Sequence, residues 1–216
     1  MMGNMPGTMG MNAANFIIMW TIMMAAMMLP SLAPVAFMYL RIMTKESKGI
    51  VRFIRISGFV TGYLLIWSVF GVLAYGIALG INLLIRGSPA AMLWTTAIVL
   101  LLCGIYQFTS LKDICLKHCR SPIGFLFHFG NYRGRLRDMR IGMYHGAYCT
   151  GCCVGLMIVM VFAGVMNLVW MIALAAIIFI EKVWHYGRGF SHAVGFMLII
   201  LGCLLPWHPH LLQSLY

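Results

Sequence analysis

Two short stretches of the chain carry cysteine and histidine at helical spacing. They are CLKHC and HGAYCTGCC, and together they supply Cys115, His118, Cys119, His145, Cys149, Cys152 and Cys153. Thiolate and imidazole side chains in such groups bind Zn(II), Cu(I) or iron–sulfur centres. The residue types therefore predict a site for a soft metal ion.

Helical geometry groups the second stretch further. At about 100° per residue, Cys149, Cys152 and Cys153 fall at about 40°, −20° and 80° from His145, so all four share one stripe. His145 and Cys153 are roughly 12 Å apart along the axis, too far for one ion to touch both. We therefore expect one ion at Cys149 with Cys152 or Cys153, with His145 as an entry ligand or as a second site. CLKHC has the spacing to supply further ligands from a neighbouring helical turn.

Methionine favours copper among these metals. In MWTIMMAAMMLP, Met19, Met23 and Met27 recur on one helix face, flanked by Met24 and Met28. The amino-terminal tail adds Met1, Met2, Met5, Met9 and Met11. Thioether binds Cu(I) well and Zn(II) poorly, so Cu(I) is the predicted ion and Zn(II) the alternative. Packing is the competing interpretation of the helical stripe, because Met fills gaps between helices.

Glu181, in FIEKVWH, allows two interpretations. Neutralised by Lys182 or a nearby arginine, it would reach the membrane interface. Turned inward, it would accept a proton from a metal-binding histidine, and it is therefore included among the candidate metal-site residues.

Composition places these residues in a membrane. The chain is 62% hydrophobic and 9% charged, whereas soluble domains are about 25% charged. We expect an all-α, polytopic transmembrane helix bundle. Apolar runs of the ~20 residues needed to cross a bilayer predict six spans, at residues 15–38, 57–85, 90–106, 141–163, 165–180 and 190–205.

The charges predict the topology of this bundle. Of the 15 basic residues, all but Arg86 fall on one side of the six-span arrangement, so both termini are expected outside and three basic loops in the cytoplasm. The net charge of +11 then indicates attraction to lipid head groups in the cytoplasmic membrane rather than nucleic-acid binding. Residues 1–14 form an external Met-rich tail, 15–205 a six-helix membrane domain with a cytoplasmic loop at 107–140, and 206–216 an external tail.

Five motifs carry a resemblance to a known family: MWTIMMAAMMLPSLAP, YQFTSLKDICLKHCRSPIGF, GMYHGAYCTGCC, GVMNLVWM and EKVWHYG. With them, nearly the whole chain after residue 14 resembles the bacterial family of predicted metal-binding integral membrane proteins, a family without an assigned function. The resemblance implies a polytopic membrane protein with a metal site at the seven Cys and His residues of the two stretches. It implies no reaction, and the inference of copper rests on this chain's own methionines.

Cu(I) handling is the function that these patterns favour. Copper would be translocated, or delivered to a membrane cuproenzyme, with a metallochaperone as a further possible partner. No phosphate loop or phosphorylatable aspartate motif is present, so movement would be passive or partner-driven.

Two other functions stay open. Cys-x-x-Cys in CTGC, with Cys115 and Cys119, is also typical of a membrane thiol–disulfide oxidoreductase. An accessory subunit of a membrane metalloenzyme complex is the third hypothesis. The sequence assigns no catalytic residue.

Overall fold

The structure, a computed structural model, describes residues 12–43, 49–85, 88–120, 136–163 and 168–207. Within these ranges every regular element is a helix and no strand is present, which confirms the predicted all-α fold. The helices are α1 (Ala13–Met43), α2 (Ile50–Ile85), α3 (Pro89–Tyr106), α4 (Ser110–Arg120), α5 (Arg137–Ala163), α6 (Leu168–Val183) and α7 (Gly187–Leu204). Most of the predicted Met-rich tail, residues 121–135 of the predicted loop and the carboxyl-terminal residues 208–216 lie outside the described residues.

Four of the described helices, α1, α2, α5 and α7, are long and apolar enough to cross a membrane. The pair α3 and α4 adds a fifth candidate if it is one span, since the two helices are bent by 61° at a short break. The fifth predicted span, residues 165–180, corresponds to α6, which has 16 residues and is shorter than the ~20 that a span requires. The described residues thus contain four or five candidate spans where the sequence predicted six.

Thr109 explains how α3 gives way to α4. Its Oγ1 donates to the carbonyl of Tyr106 at 2.7 Å and accepts from the backbone N–H of Lys112 at 3.4 Å. One side chain therefore satisfies a carbonyl at the end of α3 and an amide in the first turn of α4, as a helix cap does. The chain can change direction here without leaving these groups unpaired.

The centre of the bundle is α5, which packs against α2, α3, α4 and α6. In its most apolar window 67% of residues are buried, against 28 to 33% in the other three long helices. A Cβ added at Gly142 of α5 would overlap the carbonyl of Phe59, and one at Gly62 of α2 would overlap that of Met139. Small residues thus let the backbones of α2 and α5 touch, as is common between membrane helices.

Polar contacts fasten α4 to its neighbours at both ends. Near its start, Asp113 forms an ion pair with Arg188 at the beginning of α7. At its last residue, Arg120 donates to the carbonyls of Trp184 and His185, at 2.6 and 2.9 Å, just after α6. The short helix is thereby held across α5, where its cysteines meet those of HGAYCTGCC.

Candidate metal site

Three thiols of α5 lie together in the interior of the bundle. Cys149, Cys152 and Cys153 are each at most 2% exposed. The Sγ atoms of Cys152 and Cys153 are 3.4 Å apart, and Cys152 Sγ also donates to the carbonyl of Cys149 at 3.1 Å. The predicted helical stripe is therefore a buried face of α5.

A fourth thiol reaches this group from α4. The Sγ of Cys119 lies 3.8 Å from that of Cys152, and Cys119 is itself buried. One turn earlier, Cys115 packs over Gly151 of α5, where a Cβ would stand only 2.8 Å from its Sγ. The fold thus brings the two cysteine stretches together, and we call Cys119, Cys149, Cys152 and Cys153 the thiol cluster.

The Sγ of Cys149 also contacts two polar groups from other helices. The phenol oxygen of Tyr63 and the ammonium nitrogen of Lys182 each lie 3.0 Å from it. Lys182 Nζ further lies 3.4 Å from Ser31 Oγ and 3.9 Å from Met28 Sδ. A positive charge therefore stands beside this sulfur, and Lys182 links α6 to α1 as well as to α5.

Sequence reasoning did not anticipate the role of Lys182, which it offered as a partner for the adjacent Glu181. A signal was available in the register of α6, because Lys182 lies four and eight residues after the buried Ile178 and Leu174. That spacing places all three on one helix face. The ammonium therefore follows the apolar face into the bundle.

Glu181 is buried, at 2% exposure, and its partner is Lys112 of α4. Lys112 Nζ donates to both carboxylate oxygens, at 3.1 and 3.0 Å, and also to Gln107 Oε1. Ser191 Oγ donates to the same Gln107 oxygen at 3.2 Å. Glu181 thus turns inward, but to an ion pair with α4 rather than to Lys182 or an arginine.

The two candidate histidines lie in different surroundings. His145 is buried, 4% exposed, with its ring centroid 6.3 Å from Phe59 and 6.1 Å from Tyr63. His118 is exposed, bonds through Nδ1 to the carbonyl of Ile114 at 2.9 Å, and stacks on Tyr148 with centroids 4.3 Å apart. Only His145 of the two is enclosed by the bundle that holds the thiol cluster.

The methionine stripe of α1 divides between two places. Met19 and Met23 border a groove of about 460 Å³ that Met171 of α6 lines from the other side. We call this the methionine groove, and it is lined by Asn15, Ile18, Met19, Ile22, Met23 and Met171. Met27, the third predicted member of the stripe, is not among the residues that line this groove, although it packs against the core as Met19 does.

Two other methionines of α1 lie in the interior of the bundle. Met24 and Met28 are fully buried, and Met28 contacts Lys182. The predicted tail ligands, Met1, Met2, Met5, Met9 and Met11, lie outside the described residues.

The donor set of the thiol cluster suits a soft cation, although no group of three or more His, Cys, Asp or Glu side chains in the described ranges surrounds a common point as metal ligands do. The thiols contact one another and Lys182 instead. Metal–sulfur bonds of about 2.3 Å place ligand sulfurs roughly 3.7–4.6 Å apart, a range that includes the 3.8 Å between Cys119 and Cys152. Side-chain rotation would therefore let these sulfurs share an ion. All seven cysteines are free thiols.

Comparison with known proteins connects this arrangement to copper. No curated protein and no solved structure matches the chain. One family profile, described as PpoB2, copper chaperone, matches residues 17–205 and so includes every helix that contributes to the thiol cluster. The resemblance of the sequence to a family of metal-binding membrane proteins agrees with this match. The description of the family indicates copper handling. The chain belongs to the PpoB2 copper chaperone family.

Proposed function

We propose that this chain is a multi-pass protein of the cytoplasmic membrane, with both termini outside, that holds Cu(I) as its cargo at the thiol cluster and delivers it to a membrane cuproenzyme. Membership of a copper chaperone family supports the metal. Apolar helices support the location. The cysteines on two helices support the thiol cluster as the binding place.

The observation that carries this proposal is the 3.8 Å between Cys119 Sγ on α4 and Cys152 Sγ on α5. The two residues are 33 positions apart in the chain, so local helix geometry does not account for their meeting. Both are buried, in a bundle where soft, reducing ligands and exclusion of water favour Cu(I) over Cu(II). Two thiolates from separate helices also give a site that helix movement can open.

The remaining candidate ligands would assist this pair. Cys149 and Cys153 complete the thiol cluster, and Cys115 lies next to it at Gly151. His145 would offer an imidazole one turn before Cys149, and His118 one at the surface of α4. On α1, Met19 and Met23 would offer thioethers, whereas Met27 lies outside the groove that these two line. Glu181 would act by holding α4 through Lys112.

Lys182 would balance the charge of the loaded site. One Cu(I) bound by two thiolates carries a net charge of −1, which is costly to bury without a counter-charge. The ammonium nitrogen already lies 3.0 Å from Cys149 Sγ. Bound cargo and Lys182 together would be neutral, so the bundle can enclose the ion without an additional cation or proton.

Disulfide exchange receives less support from the same geometry. Exchange requires an attacking thiolate to reach a disulfide of its partner. Cys149, Cys152 and Cys153 are at most 2% exposed, and reactive thiols of oxidoreductases are characteristically accessible. A small ion needs far less space than a protein disulfide, which favours metal handling at this position.

The test is a Cu(I) competition titration of the purified full-length protein, under anaerobic conditions, against a chelator of known affinity. Cys119→Ser and Cys152→Ser should each weaken Cu(I) binding by more than about 100-fold, because losing a ligand costs at least as much as losing a residue that supports one. Cys203→Ser is the matched control, since Cys203 is an exposed thiol on α7. It should bind like the parent.

A second measurement separates copper binding from disulfide exchange. His145→Ala should lower Cu(I) binding without changing the thiol redox state, since imidazole is a ligand but not an exchange partner. If His145→Ala binds Cu(I) like the parent, and a Cys149–Cys152 disulfide is trapped in the protein, the copper proposal is wrong and the oxidoreductase hypothesis takes its place.

A further inference from the structure

The methionine groove brings together thioethers from two helices. Met19 and Met23 are one turn apart on α1, and Met171 of α6 lines the opposite side of the same groove. Its volume of about 460 Å³ gives the flexible side chains room to turn toward one another. We infer that Met19, Met23 and Met171 form a second, weaker Cu(I) site, distinct from the thiol cluster.

The chemistry of the lining residues supports a monovalent soft cation. Asn15, Ile18 and Ile22, which complete the lining, are uncharged like the three methionines. Thioether sulfur binds Cu(I) without losing a proton and contributes no charge. Such a site discriminates against Zn(II), which prefers thiolate, imidazole and carboxylate, and it holds Cu(I) less tightly than thiolates do.

The position of the groove supports a place before the thiol cluster on the path of the ion. Helices α1 and α6 run in the same direction, because Met19 and Met23 lie near Met171 at one end while Met28 contacts Lys182 further along. The five residues from Met23 to Met28 correspond to roughly 7.5 Å. The groove therefore ends within about two helical turns of the group that contacts Cys149.

Met171 is the residue that distinguishes this site from the stripe read in the sequence. The spacing on α1 alone selected Met19, Met23 and Met27, but Met27 is absent from the lining of the groove. A three-thioether site accordingly takes its third ligand from α6 and not from α1. In this scheme the ion moves from neutral ligands in the groove to anionic ligands in the thiol cluster, a passage that needs no nucleotide hydrolysis.

The experiment measures Cu(I) binding by the full-length protein in which Cys149 and Cys152 are both replaced with serine, so that the thiol cluster no longer dominates. In this background, Met171→Leu should lower the remaining Cu(I) affinity by about 10-fold or more. Met27→Leu is the matched control and should change it by less than about 2-fold. Both changes roughly conserve volume, and any contribution of the tail methionines is the same in the two proteins.

A rescue variant separates coordination from packing. Met171→His restores a metal ligand but not the apolar shape, so it should bind Cu(I) more tightly than Met171→Leu does. X-ray absorption of the Cu(I)-loaded background protein should show sulfur ligands, with fewer of them in Met171→Leu. Equal affinities of Met171→Leu and Met27→Leu would overturn the inference and leave the groove as a place for a lipid chain.

The inference rests on the proposed function for the identity of the ion, but its failure is separately visible. If Cys152→Ser, made in the otherwise unchanged protein, binds Cu(I) like the parent, only the thiol cluster is contradicted. If Met171→Leu and Met27→Leu have equal Cu(I) affinities in the serine background, only the methionine groove is contradicted.

Discussion

The thiol cluster and the methionine groove both offer sulfur to a metal ion, but the two regions are built differently. The thiols come from α4 and α5, are buried, and have the Lys182 ammonium and the Tyr63 hydroxyl within 3.0 Å of one sulfur. The thioethers line a groove whose described lining residues are uncharged. Both ligand types select Cu(I), but anionic thiolates hold it more tightly than neutral thioethers do, so the difference itself provides a direction for the ion.

The largest expected effect concerns the ion pair that holds α4 over the thiol cluster. Glu181→Gln removes the negative charge of the carboxylate that binds Lys112 through both oxygens. The buried Lys112 ammonium is then left without a counter-charge. Breaking a buried pair in this way destabilises proteins by about 3–5 kcal/mol. Thermal or denaturant unfolding in detergent should show this loss, together with weaker Cu(I) binding at the thiol cluster.

The double variant Glu181→Leu with Lys112→Met is the control for this prediction. It removes both charges, and buried pairs replaced by apolar residues are often neutral. Its stability should therefore exceed that of Glu181→Gln. Should Glu181→Gln unfold like the parent protein, the ion pair does not stabilise α4.

Lys182→Met tests whether charge distinguishes the two sulfur regions. The substitution removes the ammonium 3.0 Å from Cys149 Sγ and should weaken Cu(I) at the thiol cluster by about 10–100-fold, as loss of a residue that supports a metal ligand does. Cu(I) in the methionine groove should be unaffected. Lys117→Met, at an exposed position of α4, is the charge-matched control, and equal affinities of the two variants would contradict the role of Lys182.

Gly151→Ala tests how closely α4 packs against α5. The new Cβ would stand 2.8 Å from Cys115 Sγ, so the thiol must rotate, at a cost of about 1–3 kcal/mol. Combining it with Cys115→Ala removes the obstacle, and the two changes should then be non-additive by more than about 0.5 kcal/mol in unfolding experiments. Gly76→Ala on α2, which meets nothing within 4 Å, should be nearly neutral, and additive effects of the first pair would show that Cys115 does not pack there.

The smallest expected effect is that of His118. Its ring is exposed and stacked on Tyr148, so His118→Ala should change Cu(I) affinity by no more than about 2-fold. His145→Ala, at a buried ring, should have the larger effect in the same titration. The reverse order would show that the exposed imidazole of α4, and not the buried one of α5, binds the ion.

Much of the fold and part of the site could be predicted from the sequence, because both follow from local patterns. Long apolar runs predict helices whatever their neighbours, and α1, α2, α5 and α7 bear this out. A stripe of Cys149, Cys152 and Cys153 follows from helical periodicity alone. The meeting of CLKHC with this stripe was expected from its matching spacing, and the structure brings Cys119 to Cys152.

The remaining features depend on contacts between distant parts of the chain. Lys182 and Glu181 are adjacent in sequence but have different partners, because successive helical residues point about 100° apart. Lys182 contacts Cys149, and Glu181 pairs with Lys112. His118 looked equivalent to Cys119, yet His118 is exposed and stacks on Tyr148 of α5, whereas Cys119 is buried beside Cys152. Similarly, Met171 becomes comparable with Met19 only when α6 lies beside α1.

The attachment of α4 to its neighbours also affects how long a bound copper ion stays in the protein. Copper shared by Cys119 and Cys152 is held by two helices, so its residence in the protein depends on how often they part as well as on the strength of each bond to sulfur. The contacts of Lys112, Asp113 and Arg120 hold α4 near both of its ends. A recipient protein that competes for these contacts would shorten the lifetime of the bound ion without touching the metal, and delivery would then occur at a rate determined by the recipient.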